Sequence, residues 1–509
     1  MQVNITKERN VNILAIYKRI KNRFYQDSLK LMRVSAEIKE LTGVEKAFAF
    51  MATEINKKTR IQESLMDEEV SLAAADDLVL LIECKDDVSG EALLDEFERQ
   101  ITSNSASGRE DSESESSLPV TIEQGKTLID ANIAVISVPG TYATVQALIA
   151  LNQNMNVMLF SDNISIEDEV VLKDYAKKRG LLVMGPDCGT AIINGVPLCF
   201  ANVVKRGNVG IIGASGTGTQ ELTVQLDAVD CGISHAIGTG GRDLSEEVAG
   251  RTTLSALELL RTDENTEIIA IISKPPSPTV AELVVEAVKE IGKPSILAFL
   301  GAKSRRVAEN VYVAGTIEEA VAKIAAFNKG ESVEGCGVIY KRNEFDSSII
   351  EKLKATQKTV KGLFTGGTLA SEAKYILKNV EAEIIDLGDD EFTRGALHPM
   401  IDPTIRNEYV SKAYHDEETA IILCDVVLGY GSHADPAGEL AKVVEESRRI
   451  TDTFKIIIAT VVGTNKDPQI KSQQVETLIR AGIHVYPSNQ YAAEIAAEIA
   501  KKLQGESRK

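Results

Sequence analysis

Gly210-Ile-Ile-Gly-Ala-Ser-Gly-Thr-Gly-Thr-Gln-Glu221 reads as an apolar strand that runs straight into a turn of small residues, with a helix opening at Thr219. Small residues let a ligand approach the backbone of the turn. The first N–H groups of a helix have no intrahelical partner, and the helix dipole is positive at that end. Ser215, Gly216, Thr217 and Gly218 are therefore candidates to hold a phosphate-like anion. No Lys follows the glycines, so this is not a Walker A loop, and the spacing is not the dinucleotide fingerprint. The plainer alternative is a glycine turn that only passes the chain from strand to helix.

The same design recurs on either side. Gly238-Thr-Gly-Gly-Arg-Asp-Leu-Ser-Glu-Glu247 offers Gly240, Gly241 and the planar fork of Arg242, with Ser245 suited to start a helix. A surface Arg closing a loop is the competing reading. Phe364-Thr-Gly-Gly-Thr-Leu-Ala-Ser-Glu372 offers Gly366, Gly367 and Thr368. Val427-Leu-Gly-Tyr-Gly-Ser-His-Ala-Asp-Pro436 offers Gly429 and Gly431, with His433 just past a strand end at an expected helix entrance. Between these turns, the loop 386–403 carries Arg394, His398 and Asp402 among two prolines. It has no His or carboxylate spacing that supports a metal site, so none is expected. Lys274, in a Pro-rich turn, either reaches an anion or is solvated. Cys188, in Gly185-Pro-Asp-Cys-Gly-Thr190, is read as a packing residue, with a nucleophilic role as the alternative.

Ile/Val/Leu runs separated by helix-length segments indicate parallel strands buried on both faces. The expected fold class is α/β, with Rossmann-like and flavodoxin-like parallel-sheet domains in tandem after a small N-terminal α+β module of ferredoxin-like or ACT-like type. The expected divisions are 1–104 for the module, 105–118 for an acidic Ser-rich linker, 119–202 for a Rossmann-like domain, and 203–330 and 337–509 for two flavodoxin-like domains. In the module, Val11–Tyr17, Val44–Met51 and Leu78–Cys84 are expected strands. Ser28–Leu41 and Glu91–Ile101 are expected helices.

The chain of 509 residues carries a formal charge of −19. That argues against nucleic acid and anionic membrane surfaces as partners, because phosphate backbones demand clustered Lys and Arg. Six scattered cysteines form no Cys-x-x-Cys pair, and no apolar run is long enough to span a membrane. With no signal-peptide pattern at residues 1–23, a reducing cytoplasm is the expected location.

These motifs resemble a known family. Gly185–Thr190 resembles the G-P-N-C-P-G turn of the succinyl-CoA synthetase α subunit, and Gly207–Glu221 its strand and Ser-Gly-Thr helix start. Residues 337–509, with Gly463-Thr-Asn465, resemble the C-terminal domain of its β subunit. With a small domain in front, and with the stretch ISHAIGTGGRDLSEEVAG beginning at Ile233, the chain looks like an FdrA-type protein. Three parts of a synthetase have no counterpart here. The segment leading to Ile133 lacks the glycine-rich CoA loop. Leu300-Gly-Ala-Lys-Ser-Arg-Arg306 stands where the synthetase carries its phosphorylated His. No ATP-grasp domain precedes residue 337.

The resemblance implies a phosphate held between two facing helix N-termini, Ser215–Gly218 from one half and Gly429–Gly431 from the other. FdrA-type proteins resemble one subunit of the oxamate carbamoyltransferase assembly of anaerobic allantoin breakdown, which converts oxalurate and phosphate to oxamate and carbamoyl phosphate. The expected ligand is thus a small anion: phosphate, carbamoyl phosphate or oxamate. The expected partners are the other carbamoyltransferase subunits of an oligomer, with no cofactor. His433 and Arg394 are expected to orient the substrate or to stabilise its oxyanion. Two alternatives remain: an acyl-CoA synthetase of the succinate–CoA ligase type with a separate ATP-grasp partner, and a non-catalytic regulatory or scaffold subunit.

Overall fold

The computed structural model describes residues 14–24, 26, 28–39, 41–53, 56–57, 68–85, 89–102, 119–343, 345–393, 396–451 and 453–505. The chain divides into two units, residues 1–117 and 118–509. The expected linker at 105–118 lies outside the described residues, as does Arg394.

In the first unit, β1 (Leu14–Lys21), α1 (Ser28–Lys39), β2 (Val44–Met51), α2 (Glu68–Leu72), β3 (Leu78–Lys85) and α3 (Gly90–Thr102) follow one another. The three strands form an antiparallel sheet in the order β1-β3-β2. Alternate residues of β3 (Leu78, Leu80, Ile82, Cys84) meet Leu31, Val34 and Ile38 of α1 and Leu94, Phe97 and Ile101 of α3. That is the two-residue period of a strand meeting the helical period. The first strand continues to Lys21, beyond the apolar run expected to end at Tyr17. Its span is set by pairing with β3, from Leu14↔Lys85 to Lys21↔Leu78, and not by hydrophobicity.

The second unit holds three sheets. β4 (Ile133–Ile136), β5 (Asn156–Leu159) and β6 (Val183–Met184) are parallel in that order, with α4 (Ile122–Leu128) before them and α5 (Gly140–Asn152) and α6 (Ile166–Lys178) between them in sequence. An eight-stranded sheet follows, in the order β13-β14-β12-β11-β9-β10-β7-β8. It is built from β7 (Thr190–Ile193), β8 (Val196–Cys199), β9 (Arg206–Ala214), β10 (Ile233–Gly238), β11 (Ile268–Ser273), β12 (Ser295–Phe299), β13 (Arg305–Ala308) and β14 (Val311–Ala314). Its helices are α7 (Gly216–Ala228), α8 (Arg251–Thr262), α9 (Pro278–Ile291) and α10 (Ile317–Lys329). The last sheet has the order β16-β15-β17-β18-β19. Its strands are β15 (Thr359–Phe364), β16 (Ala382–Asp386), β17 (Thr419–Val427), β18 (Ile456–Val462) and β19 (His484–Tyr486). Its helices are α11 (Gly367–Ile376), α12 (Asp390–Thr393), α13 (Thr404–His415), α14 (Pro436–Ile450), α15 (Lys471–Arg480) and α16 (Asn489–Gln504).

The parallel cores β10-β9-β11-β12-β14 and β16-β15-β17-β18-β19 share one order, second strand, first, third, fourth, fifth, which is the flavodoxin-like winding. Two additions are antiparallel. β13 pairs back on β14, and the hairpin β7–β8 adds to β10. The hairpin turns at Asn194-Gly195, both at positive φ, the two-residue turn that matches strand twist. A reading of all apolar runs as parallel strands passes over that signal. The helix expected near Ser245 begins instead at Arg251, after Gly250. Ser245 Oγ accepts the Val248 N–H within a turn.

One apolar core lies between the two large sheets. It takes Leu222, Val224 and Leu226 from α7, Val321 and Ile324 from α10, Leu369 and Ala373 from α11, and Tyr491, Ile495 and Ile499 from α16. From Gly218 to Leu226 every residue of α7 is buried. Thr219, Gln220, Glu221, Thr223 and Gln225 therefore face protein on all sides and need partners there.

Candidate functional site

Ser215 is the N-cap of α7, and its Oγ accepts the Gly218 N–H at 3.0 Å. The same hydroxyl meets Thr368 Oγ1, in the first turn of α11. The two first-strand helices, one from each half, thus meet tip to tip. The approach is close enough to need glycine. A Cβ on Gly218 would stand 2.7 Å from Thr368 Cγ2, and one on Gly366 2.8 Å from the Thr217 side chain. Among the described residues, the N–H groups of Gly216, Thr217, Gly367 and Thr368 have no hydrogen-bond partner. Two positive helix ends and four backbone donors converge on one place.

A separate observation marks the same place. Thr190, on β7, is buried, and its Oγ1 has no hydrogen-bond partner. That oxygen lies 3.6 Å from the Cβ position of Gly216, the first residue of α7. A buried hydroxyl left without a partner is costly unless a ligand or water meets it.

The entrance of α11 is fixed from below. Asp425, in the middle of β17, is fully buried and takes the Thr365 N–H on one carboxylate oxygen at 2.7 Å and the Gly366 N–H on the other at 2.9 Å. Burial pushes its carboxyl up to about 6, against the backbone donors and the Arg406 guanidinium. Further into the helices, Glu221 on α7 and Glu372 on α11 occupy matching positions, each six residues after Ser215 or Gly366. Each is capped by the last helix of the opposite half. Asn489 N, at the start of α16, donates to Glu221 Oε1 at 3.2 Å, and Ile317 N, at the start of α10, donates to Glu372 Oε1 at 2.8 Å. Asn489 Nδ2 also donates to Glu372 Oε2 at 2.8 Å. Burial raises both carboxyls to about 7.

The other sequence candidates sit as follows. Gly429 and Gly431, both at positive φ, are the turn expected opposite Ser215–Gly218, and the turn in direct contact there is Gly366–Thr368. Gly429 and Gly431 follow the third strand of their sheet, and Tyr430 between them donates its N–H to Ala201 O at 2.9 Å. A Cβ on Gly429 would stand 2.5 Å from Ala201 O, and one on Gly431 2.8 Å from Phe200. This turn packs against residues 200–202. His433 is part-buried. Its N–H goes to Met400 O and its Nδ1 accepts the Asp435 N–H at 3.1 Å, just before α14. His398 accepts the Met400 N–H on Nδ1, lies 5.9 Å from the Phe200 ring, and is driven by burial down to about 4, so the ring is neutral. Asp402 caps Thr404 at the start of α13.

Gly240, at positive φ, comes within 2.3 Å (from its Cβ position) of Pro186 O, while Gly241 lies opposite Asp187. Arg242 is engaged in packing. It donates to Ile164 O at 2.9 Å and pairs with buried Glu169 at 3.0 Å. Cys188 is buried with its thiol pushed up to about 12, which fits packing and not a thiolate nucleophile. Asp425 and Glu221 are not among the residues that the sequence motifs single out for a role. The signal for Asp425 is an acid inside the otherwise apolar run Thr419–Val427. No local signal marks Glu221, which stands at an ordinary helical position.

Three family models match. A CoA-ligase model covers residues 363–499, a CoA binding domain model 204–301, and the model of the AllF heavy metal-associated domain 14–117. Among the described residues no group of three or more His, Cys, Asp or Glu could hold a metal ion. The module's one cysteine, Cys84, is buried in β3. The protein YahF of Escherichia coli (strain K12) is 40% identical, over 95% of this chain and 98% of its own length. The alpha subunit of ADP-forming succinate–CoA ligase from Staphylococcus epidermidis is 26% identical, over 43% of this chain and 72% of its own. Among solved structures, the apo dinucleotide-forming acetyl-coenzyme A synthetase 1 of Ca. Korarchaeum cryptofilum covers 74% of this chain and 84% of its own, at 15% identity and a TM-score of 0.29. No helix among the described residues is long and apolar enough to cross a membrane.

Proposed function

The chain belongs to the FdrA-type, succinyl-CoA-synthetase-like family, and from that premise we propose that it is a subunit of an oxamate carbamoyltransferase-type enzyme, converting oxalurate and phosphate to oxamate and carbamoyl phosphate. The observation that carries the reading is the meeting of α7 and α11 at Ser215 and Thr368, with unpartnered backbone donors on both sides and the orphaned Thr190 hydroxyl beside them. The match to the AllF domain model supports the link to allantoin breakdown.

In the proposed reaction, phosphate sits between the two helix ends and one of its oxygens attacks the carbamoyl carbonyl of oxalurate. The carbonyl oxygen becomes an oxyanion, which fixed N–H donors stabilise without reorganising. The C–N bond to oxamate then breaks, and the phosphate's proton passes to the departing nitrogen. The reaction needs neither a phosphorylated His nor a nucleotide. His433 is the proposed orienting group, together with Arg394, and other subunits supply the rest of the site. Gly240, Gly241, Arg242, Gly429 and Gly431 keep the supporting roles their packing gives them.

Gly216→Val tests the cradle. Only Thr190 Oγ1, at 3.6 Å, lies near its Cβ position, so the fold tolerates the side chain while the β-branch blocks the anion. Phosphate binding, by calorimetry, should fall at least about tenfold with the thermal midpoint nearly kept. Unchanged affinity in the folded variant overturns the cradle. A second reading, an acid–thiol ligase working with a separate ATP-grasp partner, is favoured by the match of the CoA binding domain model to 204–301. Saturable binding of CoA by the full chain, with no phosphorolysis of oxalurate when candidate partner subunits are added, would put that reading first.

A further inference from the structure

Asp386 ends β16 beside the entrance of α11. Its Oδ1 accepts the Gly388 N–H at 3.1 Å. Its Oδ2 has no hydrogen-bond partner among the described residues, and lies 2.1 Å from where a Cβ on Gly367 would stand. Lys274 Nζ, arriving from the turn after β11 in the other half, is 3.2 Å from that same point. The backbone of Gly367 is not at positive φ, so glycine is required there for room. The room it leaves opens on a carboxylate oxygen at the mouth of the helix. Burial pushes the Asp386 carboxyl up, and the Lys274 ammonium is the main charge opposing that.

A carboxylate is a strange neighbour for a site that holds only anions. Phosphate and carboxylate oxygens offer it few hydrogens, and like charges repel. Asp425, the other acid at this helix entrance, is fully occupied by backbone N–H groups. Asp386 keeps one oxygen free for a ligand that brings donors of its own. A carbamoyl or ureido group brings two N–H donors on one nitrogen, within a molecule whose other end is the anion that the helix ends attract.

We infer that Asp386 Oδ2 accepts the terminal NH2 of a carbamoyl or ureido substrate, and that this contact makes the site choose a carbamoyl group over an acyl group. His398 stands on the same side. Its Nδ1 is taken by Met400 N–H, so its proton is on Nε2, which lies 2.6 Å from the Cβ position of Gly388. A neutral imidazole N–H there adds a donor and no charge. The inference rests on the phosphate-cradle reading and names the substrate class that cradle serves.

Carbamoyl phosphate and acetyl phosphate are near-isosteres that exchange NH2 for CH3, and they make the test. The full chain is titrated calorimetrically with inorganic phosphate, carbamoyl phosphate and acetyl phosphate. The expected result is a preference for carbamoyl over acetyl phosphate of about ten- to a hundredfold, the size of one hydrogen bond to a charged acceptor. In Asp386→Asn that ratio should fall toward one while inorganic phosphate binds as well as before or better. Asp386→Glu, which keeps the charge and moves the oxygen, should also lose the preference and serves if the amide variant does not fold. Equal affinity for the two phosphates in the unaltered chain, or a ratio unchanged in the variants, overturns the role of Asp386 while leaving the cradle standing. Failure of the unaltered chain to bind inorganic phosphate overturns the cradle and this inference together.

Discussion

Two glycines in one turn separate binding from packing at the scale of single residues. Gly216 is open at its Cβ position, whereas Gly218 is closed in by Ser215 Oγ at 2.6 Å and Thr368 Cγ2 at 2.7 Å. The sequence marks both as small residues of one turn, and only the neighbour across the interface distinguishes them. His433 is equally divided in its reading. In place it spends its N–H on Met400 O and its Nδ1 on Asp435 N–H, contacts that hold the loop before α14. If it also orients substrate, His433→Gln should reduce turnover of the assembled enzyme about tenfold or more, since a positioned acid–base or donor group is worth at least that. Its thermal midpoint should move little. Parallel loss of activity and stability would assign it to the loop alone. The functional acids were the least legible residues. Asp386 lies inside the charged stretch that sequence singled out, but its importance depends on Gly367 and Lys274, which are far from it in sequence.

Among the elements, α7 and α11 carry the site, and each could be placed from sequence by its strand and small-residue turn, although α7 opens at Gly216, three residues before the expected Thr219, because Ser215 caps it. Their partnership could not. The turn at Gly429–Gly431 carries two glycines, as does the one at Gly366–Thr368, but it follows the third strand of the sheet, while α7 and α11 both follow first strands. When two sheets of one order pack through their first helices, the first-strand turns meet tip to tip, while the third-strand turn lies along the side of α7, where Gln220 Nε2 donates to Leu428 O at 3.3 Å. The contact has measurable strength. Ser215→Ala removes the cap on Gly218 N–H, which costs about 1 kcal/mol, and also removes the hydroxyl pair with Thr368. A double-mutant cycle of Ser215→Ala and Thr368→Val, read by urea denaturation, should give a coupling of about 0.5 kcal/mol or more. Strict additivity would mean that the two helix tips do not support each other.

Over the whole second unit, the two halves are joined by a crossed arrangement of acids and helix ends. Glu221 of one half lies at the start of α16 of the other, Glu372 at the start of α10, and Asn489 links both. The surrounding charges are Lys471 near Glu221, and Glu318 and Glu494 near Glu372, with Arg342 pairing both of the latter. The folded carboxyls are raised to about 7, above the ordinary value of 4.5 for a free Glu. The folded state therefore holds more protons than the unfolded one between those values. This contribution to stability is complete below the unfolded value and is lost as pH rises through about 7. The thermal midpoint should thus fall between pH 4.5 and about pH 7, and Glu221→Gln with Glu372→Gln should flatten that fall. A slope unaffected by the pair of substitutions would place the titration elsewhere. What sequence determined is what short-range chemistry dictates: alternating apolar strands, small-residue turns, helix starts with unpaired N–H groups, and from these the α/β class and the candidate anion turns. What tertiary structure decided is which turns meet and which acids they bury. That follows from burying the apolar faces of four helices between two sheets, a requirement of packing that no local stretch of residues encodes.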